Sequence, residues 1–150
     1  MRPLHLLGRA IFGGYFLYNG INHLVNRKLM SQYAGAKGVA APDAAVTTSG
    51  AMLIVGGVSV LTGLKPRQGL AAIVGFLIPV SLLMHRFWEE QNPERRMAET
   101  INFTKNMALV GAALMMLELD EPWPVSIDAS RDDEEMFVRV GGRDLRALPA

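Results

Sequence analysis

Polar and ionisable side chains stand at the ends of several long apolar stretches in this chain. The segment INFTKNMAL places Lys105 between Asn102 and Asn106, just before an uncharged run. His23 and His85 stand where two other apolar runs end. An imidazole can donate, accept or pass on a proton near neutral pH, and a lysine supplies positive charge with three donors. These residue types suit a guest that carries carbonyl oxygens or negative charge.

The stretches that would position these side chains have the length of membrane-spanning helices. Residues 44–64 and 68–84 contain no charged residue, and about 20 mostly apolar residues suffice to cross a bilayer. Residues 4–25 and 101–119 reach that length only if each includes a charged residue. Because two secure spans make a membrane protein, the other apolar runs would have no soluble core to pack into. We therefore expect four spans.

The order of the runs predicts an all-α fold, an integral membrane up-down four-helix bundle with a polar C-terminal tail. The predicted units are a transmembrane domain of residues 1–119, with spans at about 4–25, 44–64, 68–88 and 101–119, a polar connection at 26–43, and a charged tail at 120–150. We expect a flexible tail, because it is sparse in apolar residues. The alternation in Met136–Val140 leaves a short strand as the alternative.

Polar residues separate the first run from the small-residue pattern at 34–36, which favours a retained span over a cleaved signal peptide.

Composition excludes several classes of function. The chain has no cysteine, which rules out disulfides, thiolate catalysis and cysteine-bound metal clusters. Its formal net charge of +1 gives no reason to expect a nucleic-acid partner. One histidine per span without a supporting carboxylate is a weak metal or haem site. We expect no metal and no intrinsic cofactor, although a quinone could bind.

Span order brings the polar ends of the four runs to one side of the membrane, called side B, and the chain termini to the other, side A. The predicted binding site consists of side chains near side B, namely Asn19, Asn22, His23, Ser81, His85, Trp88, Asn102, Lys105 and Asn106. Polar groups at membrane depth usually face the bundle interior or a wet cavity. Each also has an ordinary alternative role. The aromatic and imidazole rings can anchor to headgroups, Lys105 and Arg9 can snorkel, and asparagines can bond neighbouring helices.

Four short motifs carry a family resemblance. They are Leu7-Gly8-Arg9, Gly20-Ile21-Asn22-His23, His85-Arg86-Phe87-Trp88 and the stretch from Asn102 to Gly111. In these motifs the chain resembles the DoxX family of small bacterial membrane proteins, over Leu4 to about Glu118. The resemblance implies an integral inner-membrane protein with an up-down four-helix bundle. Some relatives are linked to thiosulfate–quinone oxidoreduction or to redox-stress complexes, and the tail has no family counterpart.

Three functions are open on the sequence. The first is a redox-associated membrane subunit that binds a quinone or a small sulfur oxyanion near side B and works with a partner protein carrying the redox centre. The second is a non-enzymatic scaffold that anchors a partner complex. The third is a small-solute carrier, which the almost purely apolar side A half disfavours. The oligomeric state stays open, since an oligomer is compatible with the sequence.

The expected location is the inner (plasma) membrane, with lipid as a partner. Lysines and arginines in short loops set the orientation of a membrane protein. Their count favours side B as the cytoplasmic side, whereas the loop at 65–67 and the charged tail favour side A. We expect both termini in the cytoplasm, because a tail that is not translocated is the simpler arrangement.

Overall fold

Five helices and three short strands make up the part of the chain that the structure describes. The computed structural model describes residues 3–129, 136–140 and 143–144. The elements are α1 (Pro3–Val25), α2 (Arg27–Ala36), α3 (Pro42–Thr62), α4 (Pro66–Met84), α5 (Pro93–Leu117), β1 (Ser126–Ala129), β2 (Met136–Val140) and β3 (Arg143–Asp144). The described chain is thus mostly helical, in agreement with the predicted all-α class, and carries a small sheet in addition.

Proline and glycine set the helix boundaries. Pro42, Pro66 and Pro93 occupy the first turn of α3, α4 and α5, where the missing N–H would be unpaired anyway and φ is already helical. The side chain of Asn92 caps α5 by accepting a hydrogen bond from a first-turn backbone N–H at 3.0 Å. Gly63 ends α3 with a φ of 72°, which favours glycine. The turn between α3 and α4 is therefore short.

Two elements differ from the sequence prediction. The predicted connection at 26–43 contains the helix α2, whose ten residues are too short and too polar to be recognised by periodicity. The third span is predicted to reach residue 88, but α4 ends at Met84. The chain leaves the helix there because Phe87 and Trp88 turn aside to stack on Phe103 of α5.

Glycines bring α1 and α3 into backbone contact. A Cβ added to Gly57 would lie 2.5 Å from the backbone nitrogen of Leu17 and 2.7 Å from the carbonyl oxygen of Gly13. A Cβ added to Gly20 would lie 2.7 Å from the backbone nitrogen of Ile54. Gly13 and Gly20 are about two helical turns apart. Helix α1 therefore follows α3 along much of its length.

The core joins α1, α3, α4, α5 and the beginning of the tail. Its buried members are Phe16, Leu53, Val60, Leu70, Ile73, Leu77, Ala113 and Trp123. Because Trp123 lies beyond α5, the predicted boundary at residue 119 does not separate the beginning of the tail from the bundle. The strands form an antiparallel sheet in the order β1-β2-β3, so the strand alternative at Met136–Val140 is confirmed. Tail residues 130–135, 141–142 and 145–150 lie outside the described residues.

Arg9 ties the beginning of α1 to the end of α3 and to the tail. Its Nε donates to the carbonyl oxygen of Val60 at 2.9 Å, and its Nη2 donates to that of Leu61 at 2.7 Å. Its Nη1 donates to the carbonyl oxygens of Pro124 at 2.6 Å and Val125 at 3.1 Å. Arg9 is 3% exposed. The side chain therefore does not snorkel to the surface, in contrast to the role that the sequence suggests for it.

Two of the described helices, α3 and α4, are long and apolar enough to cross a membrane. Each contains a strongly apolar stretch of 18 residues with no more than two charged side chains. Helices α1 and α5 do not meet the same measure of length, hydropathy and charge. Helix composition therefore gives two candidate spans where the sequence prediction has four.

Candidate ligand-binding site

A cavity of about 530 Å³ lies where α1 and α4 end and α3 begins. Most of its wall is apolar, with contributions from Met52 of α3 and from Phe76, Pro79, Val80 and Leu83 of α4. The side chains with polar atoms on the wall are His23, Tyr33, Thr48, Ser49 and His85. His23 lies at the end of α1 and His85 directly follows the end of α4, so the fold brings two imidazoles to one cavity.

His23 reaches the cavity from the last turn of α1. Its ring packs edge-on against Phe76, with 5.7 Å between the ring centroids. Its Nδ1 is buried and has no hydrogen-bond partner among the described residues. Buried polar atoms in proteins are normally paired. This imidazole therefore has hydrogen-bonding capacity that the described protein does not use.

His85 follows the last residue of α4 and belongs to an ion-pair network. Its Nδ1 lies 2.8 Å from Oε2 of Glu99 on α5. The other carboxylate oxygen of Glu99 accepts a hydrogen bond from Nζ of Lys37 at 2.5 Å. Arg86 donates to the backbone carbonyl oxygen of Lys37 at 2.9 Å. The network joins the ends of α2 and α4 to the second turn of α5.

This network shifts two pKa values. The hydrogen bond to Glu99 is the main reason that the pKa of Lys37 is raised above its usual value. Burial acts to raise the pKa of Glu99, but the hydrogen bonds from Lys37 and His85 outweigh burial, and the pKa of Glu99 is lowered. Glu99 is therefore a carboxylate at neutral pH, and Lys37 is an ammonium.

Of the nine predicted site residues, two line the cavity, His23 and His85. Asn19 and Ser81 each donate a hydrogen bond to a backbone carbonyl one turn earlier in their own helix, at 2.8 and 2.6 Å. Asn22 accepts a hydrogen bond from the asparagine one turn further on, at 2.6 Å. The structure thus gives these three side chains local partners and not a place in the cavity wall.

The remaining predicted residues lie on or against α5, away from the cavity. Lys105 is exposed and its Nζ donates to the side-chain oxygen of Asn102 at 3.1 Å. Asn106 is buried but is not part of the cavity wall. Trp88 stacks on Phe103 with 5.8 Å between centroids. The lysine expected to serve a guest is therefore not at the cavity.

Lys37 and Glu99 hold His85 in place but are not among the predicted residues. A signal for Glu99 exists in the sequence, since residues 99, 102 and 106 are spaced by three and four and share a helix face. No such signal exists for Lys37, whose position depends on the path of α2. Charged groups from two distant segments are brought together only by tertiary packing.

Comparison with known proteins supports the family resemblance. The sequence model of the DoxX family matches residues 4–86, more than half of the chain. The match includes α1 to α4 and both cavity histidines, and it ends before α5. No curated protein and no solved structure matches the chain. The family predicted from the sequence motifs is confirmed, and this membrane protein belongs to the DoxX family.

Proposed function

We propose that this protein is a redox-associated membrane subunit that binds a quinone ring in the cavity. The observation that carries the proposal is a largely apolar cavity with two imidazoles on its wall, those of His23 and His85. A quinone presents an apolar ring with carbonyl oxygens at opposite edges. It therefore needs apolar contact over most of its surface and a small number of hydrogen bonds.

The size and wall of the cavity suit such a ring. Small-molecule sites in proteins usually measure about 300–1,000 Å³ and are mostly apolar, with few well-placed polar groups. The volume of about 530 Å³ lies within that range. Phe76, Pro79 and Met52 offer flat or adaptable apolar surface on the wall.

Charge favours a neutral ring over a small sulfur oxyanion. The lining residues that the structure describes include no lysine and no arginine. Lys37 is near but its ammonium group is bound to Glu99. An anion would lose its hydration on entering this cavity without meeting a fixed positive charge, which is unfavourable.

The proposal includes four membrane-crossing helices, α1, α3, α4 and α5. Helices α3 and α4 have the length and hydropathy of spans. Helix α1 packs along α3 through the contacts at Gly13 and Gly20, and α5 packs along α4, so both share the depth of the helices that they follow. Helix α2 is too short to cross. We place the protein in the inner membrane with both termini in the cytoplasm.

A partner protein would exchange electrons with the bound quinone. The chain has no cysteine, and the parts that the structure describes contain no group of three or more histidine, aspartate or glutamate side chains able to hold a metal ion. The proposed role is therefore that of a ligand-binding membrane subunit in an oxidoreductase complex, with the redox centre on the partner.

Mass spectrometry of small molecules extracted from the detergent-purified protein tests this proposal. We expect near-stoichiometric quinone in the wild type, counted as the sum of its oxidised and reduced forms, and its loss when His23→Ala and His85→Ala are combined. Asn19→Ala is the matched control, because Asn19 is a polar side chain of α1 that lies outside the cavity wall. It should retain the quinone.

Two other results of the mass spectrometry would contradict the proposal. Quinone retained by the double histidine variant would contradict the assignment to this cavity. If no quinone accompanies any of the proteins, the redox proposal fails. A scaffold function, with the charged segment at 86–100 as the docking surface, would then become the leading alternative.

A further inference from the structure

We infer that Glu99 holds the proton of His85 on Nδ1, so that Nε2 is presented to the cavity as an acceptor and the site prefers a hydroquinone to the corresponding quinone. The inference rests on the proposed function, because it names the form of the ring that the same cavity binds. It assigns Glu99 as a positioning residue that acts through His85.

The chemistry of the Glu99 carboxylate determines which ring nitrogen carries the proton. Its Oε2 is 2.8 Å from Nδ1 of His85, and its Oε1 is bound by the ammonium group of Lys37. An ammonium group can only donate, and an ionised carboxylate can only accept. The contact with His85 is therefore a hydrogen bond only if Nδ1 bears the hydrogen.

The network is sheltered enough to fix this arrangement. The side chains of Glu99, His85 and Lys37 are 13%, 17% and 28% exposed. The Nη2 of Arg86 donates a hydrogen bond to the backbone carbonyl oxygen of Lys37 at 2.9 Å. Three separate segments therefore position the carboxylate and the ring, and the positions do not depend on a single flexible side chain.

The proton on Nδ1 leaves Nε2 for the ligand. In a neutral imidazole one nitrogen donates and the other accepts, and His85 is part of the cavity wall. The hydroxyl group of a hydroquinone can donate to Nε2. The carbonyl oxygen of a quinone would instead place its lone pairs against the lone pair of Nε2. A buried acceptor left without a donor weakens binding.

Nitrogen-15 NMR of the histidine rings in detergent tests the tautomer without any ligand. A protonated and a bare ring nitrogen have widely separated chemical shifts, and His5→Gln and His23→Gln identify the signals of the other two rings. We expect a protonated Nδ1 and a bare Nε2 for His85 in the wild type. Glu99→Ala removes the acceptor and should move the proton to Nε2 in a large fraction of molecules.

A matched control and a conservative variant accompany this measurement. Glu94→Ala removes an exposed glutamate from the first turn of the same helix and should leave the His85 signals unchanged. Glu99→Gln preserves the size of the side chain and replaces Glu99→Ala if the latter does not fold. A bare Nδ1 in the wild type, or an unchanged His85 ring in both Glu99 variants, would overturn the inference.

Binding of a short-chain benzoquinone and of its hydroquinone, measured without oxygen, tests the ligand preference. We expect the hydroquinone to bind the wild type about tenfold more tightly. The ratio should approach one in Glu99→Ala and stay at the wild-type value in Glu94→Ala.

The possible results separate the two proposals. Equal or tighter binding of the quinone to the wild type would overturn the inference and leave the proposed function standing. Binding of neither form would overturn the proposed function together with the ligand preference. The NMR signals of His85 would in that case still decide whether Glu99 sets its tautomer.

Discussion

Charged side chains have different roles at the two ends of the bundle. Arg9 is surrounded by four backbone carbonyl oxygens, two of which belong to the last turn of α3, where the helix dipole is negative. At the other end, Glu99 binds both Lys37 and His85. The first arrangement uses a charge to join three segments of backbone. The second orients a ring that also belongs to a cavity wall.

Replacing Arg9 should loosen the tail from the bundle. Arg9→Gln cannot reproduce the four hydrogen bonds, so we expect the free energy of unfolding to fall by about 2–4 kcal/mol. Trp123 reports the change, because it is 2% exposed and the guanidinium carbon lies 5.6 Å from its ring centroid. In a Trp88→Phe background, Trp123 fluorescence should shift to longer wavelength and become easier to quench with acrylamide.

Arg67→Gln is the control for the Arg9 variant. It also removes an arginine near side A, but this one is exposed and its carboxylate partner on Glu121 is 3.7 Å away. Surface pairs of this kind contribute little to stability, so Trp123 fluorescence and stability should stay at the wild-type values. If Arg9→Gln behaved in the same way, Arg9 would not hold the tail.

The contact between Lys37 and Glu99 should make stability depend on pH. The pKa of Glu99 is lowered in the folded protein, so its contribution is present above the usual value of 4.5 and is lost as the pH falls through the lower folded value. The pKa of Lys37 is raised, so its contribution is present below the usual 10.5 and is lost as the pH rises through the higher folded value. Between these limits the contact stabilises the fold by about 1–2 kcal/mol.

Chemical unfolding in detergent at neutral and strongly acid pH measures this effect. Glu99→Gln should lose stability at neutral pH and show a smaller drop on acidification than the wild type. Glu94→Gln makes the same change of charge at an exposed position and should keep the wild-type drop. An identical drop in Glu99→Gln and the wild type would show that the contact does not contribute.

At the scale of helices, the glycines of α1 and α3 fall into two kinds that sequence alone does not separate. A Cβ added to Gly57 would collide with backbone atoms of α1, which cannot move aside. A Cβ added to Gly14 would have no atom within 4 Å. We expect Gly57→Ala to push the helices apart and lower the free energy of unfolding by about 2–4 kcal/mol. Gly14→Ala should raise it by about 0.5–1 kcal/mol, because alanine favours the helix. Thermal unfolding of the two variants in one detergent gives the comparison, and similar melting temperatures would contradict the close approach.

The helices also show where prediction from the sequence succeeds. Long apolar runs bounded by proline and glycine are local signals, so the runs at 44–64 and 68–84 lie within two residues of α3 and α4 at each end. The rotation of a helix is not local. Asn102, Lys105 and Asn106 lie within little more than one turn, and successive residues are about 100° apart, so a small rotation decides which side chain faces the bundle. Packing buries Asn106 and exposes Lys105.

Contacts between distant segments account for the rest of the candidate site. The sequence predicts that His23 and His85 lie at the same end of the bundle, because that follows from the order of antiparallel helices. It does not predict that Lys37 and Glu99 meet beside His85, or that Trp123 enters the core. These contacts depend on how α2 and the tail return to the bundle, and neither segment has a periodic pattern strong enough to fix its path.

Across the whole molecule, the end of the bundle where Arg9 binds the tail and the end that contains the cavity are well separated. Arg9 and His23 lie on the same helix, about 21 Å apart at 1.5 Å per residue. This distance is most of the thickness of the hydrocarbon core of a bilayer, which is about 30 Å. If α1 lies along α3 across the membrane, the cavity is near one surface and the docked tail is near the other.

The number of membrane crossings decides whether that separation holds. Because the chain has no cysteine, the single variants Arg67→Cys, Gln91→Cys and Asp120→Cys, all at exposed positions, can be labelled from one side of intact cells with a membrane-impermeant reagent. With four spans, positions 67 and 120 share one side and position 91 is on the other. With α3 and α4 as the only spans, positions 91 and 120 would share a side.

We expect the pattern of four spans, with position 91 labelled from outside, since α5 packs along α4 and a helix that follows a span must cross with it. Labelling of positions 91 and 120 together would show that α5 lies outside the bilayer, and the Glu99 network would then join a membrane helix to a surface helix.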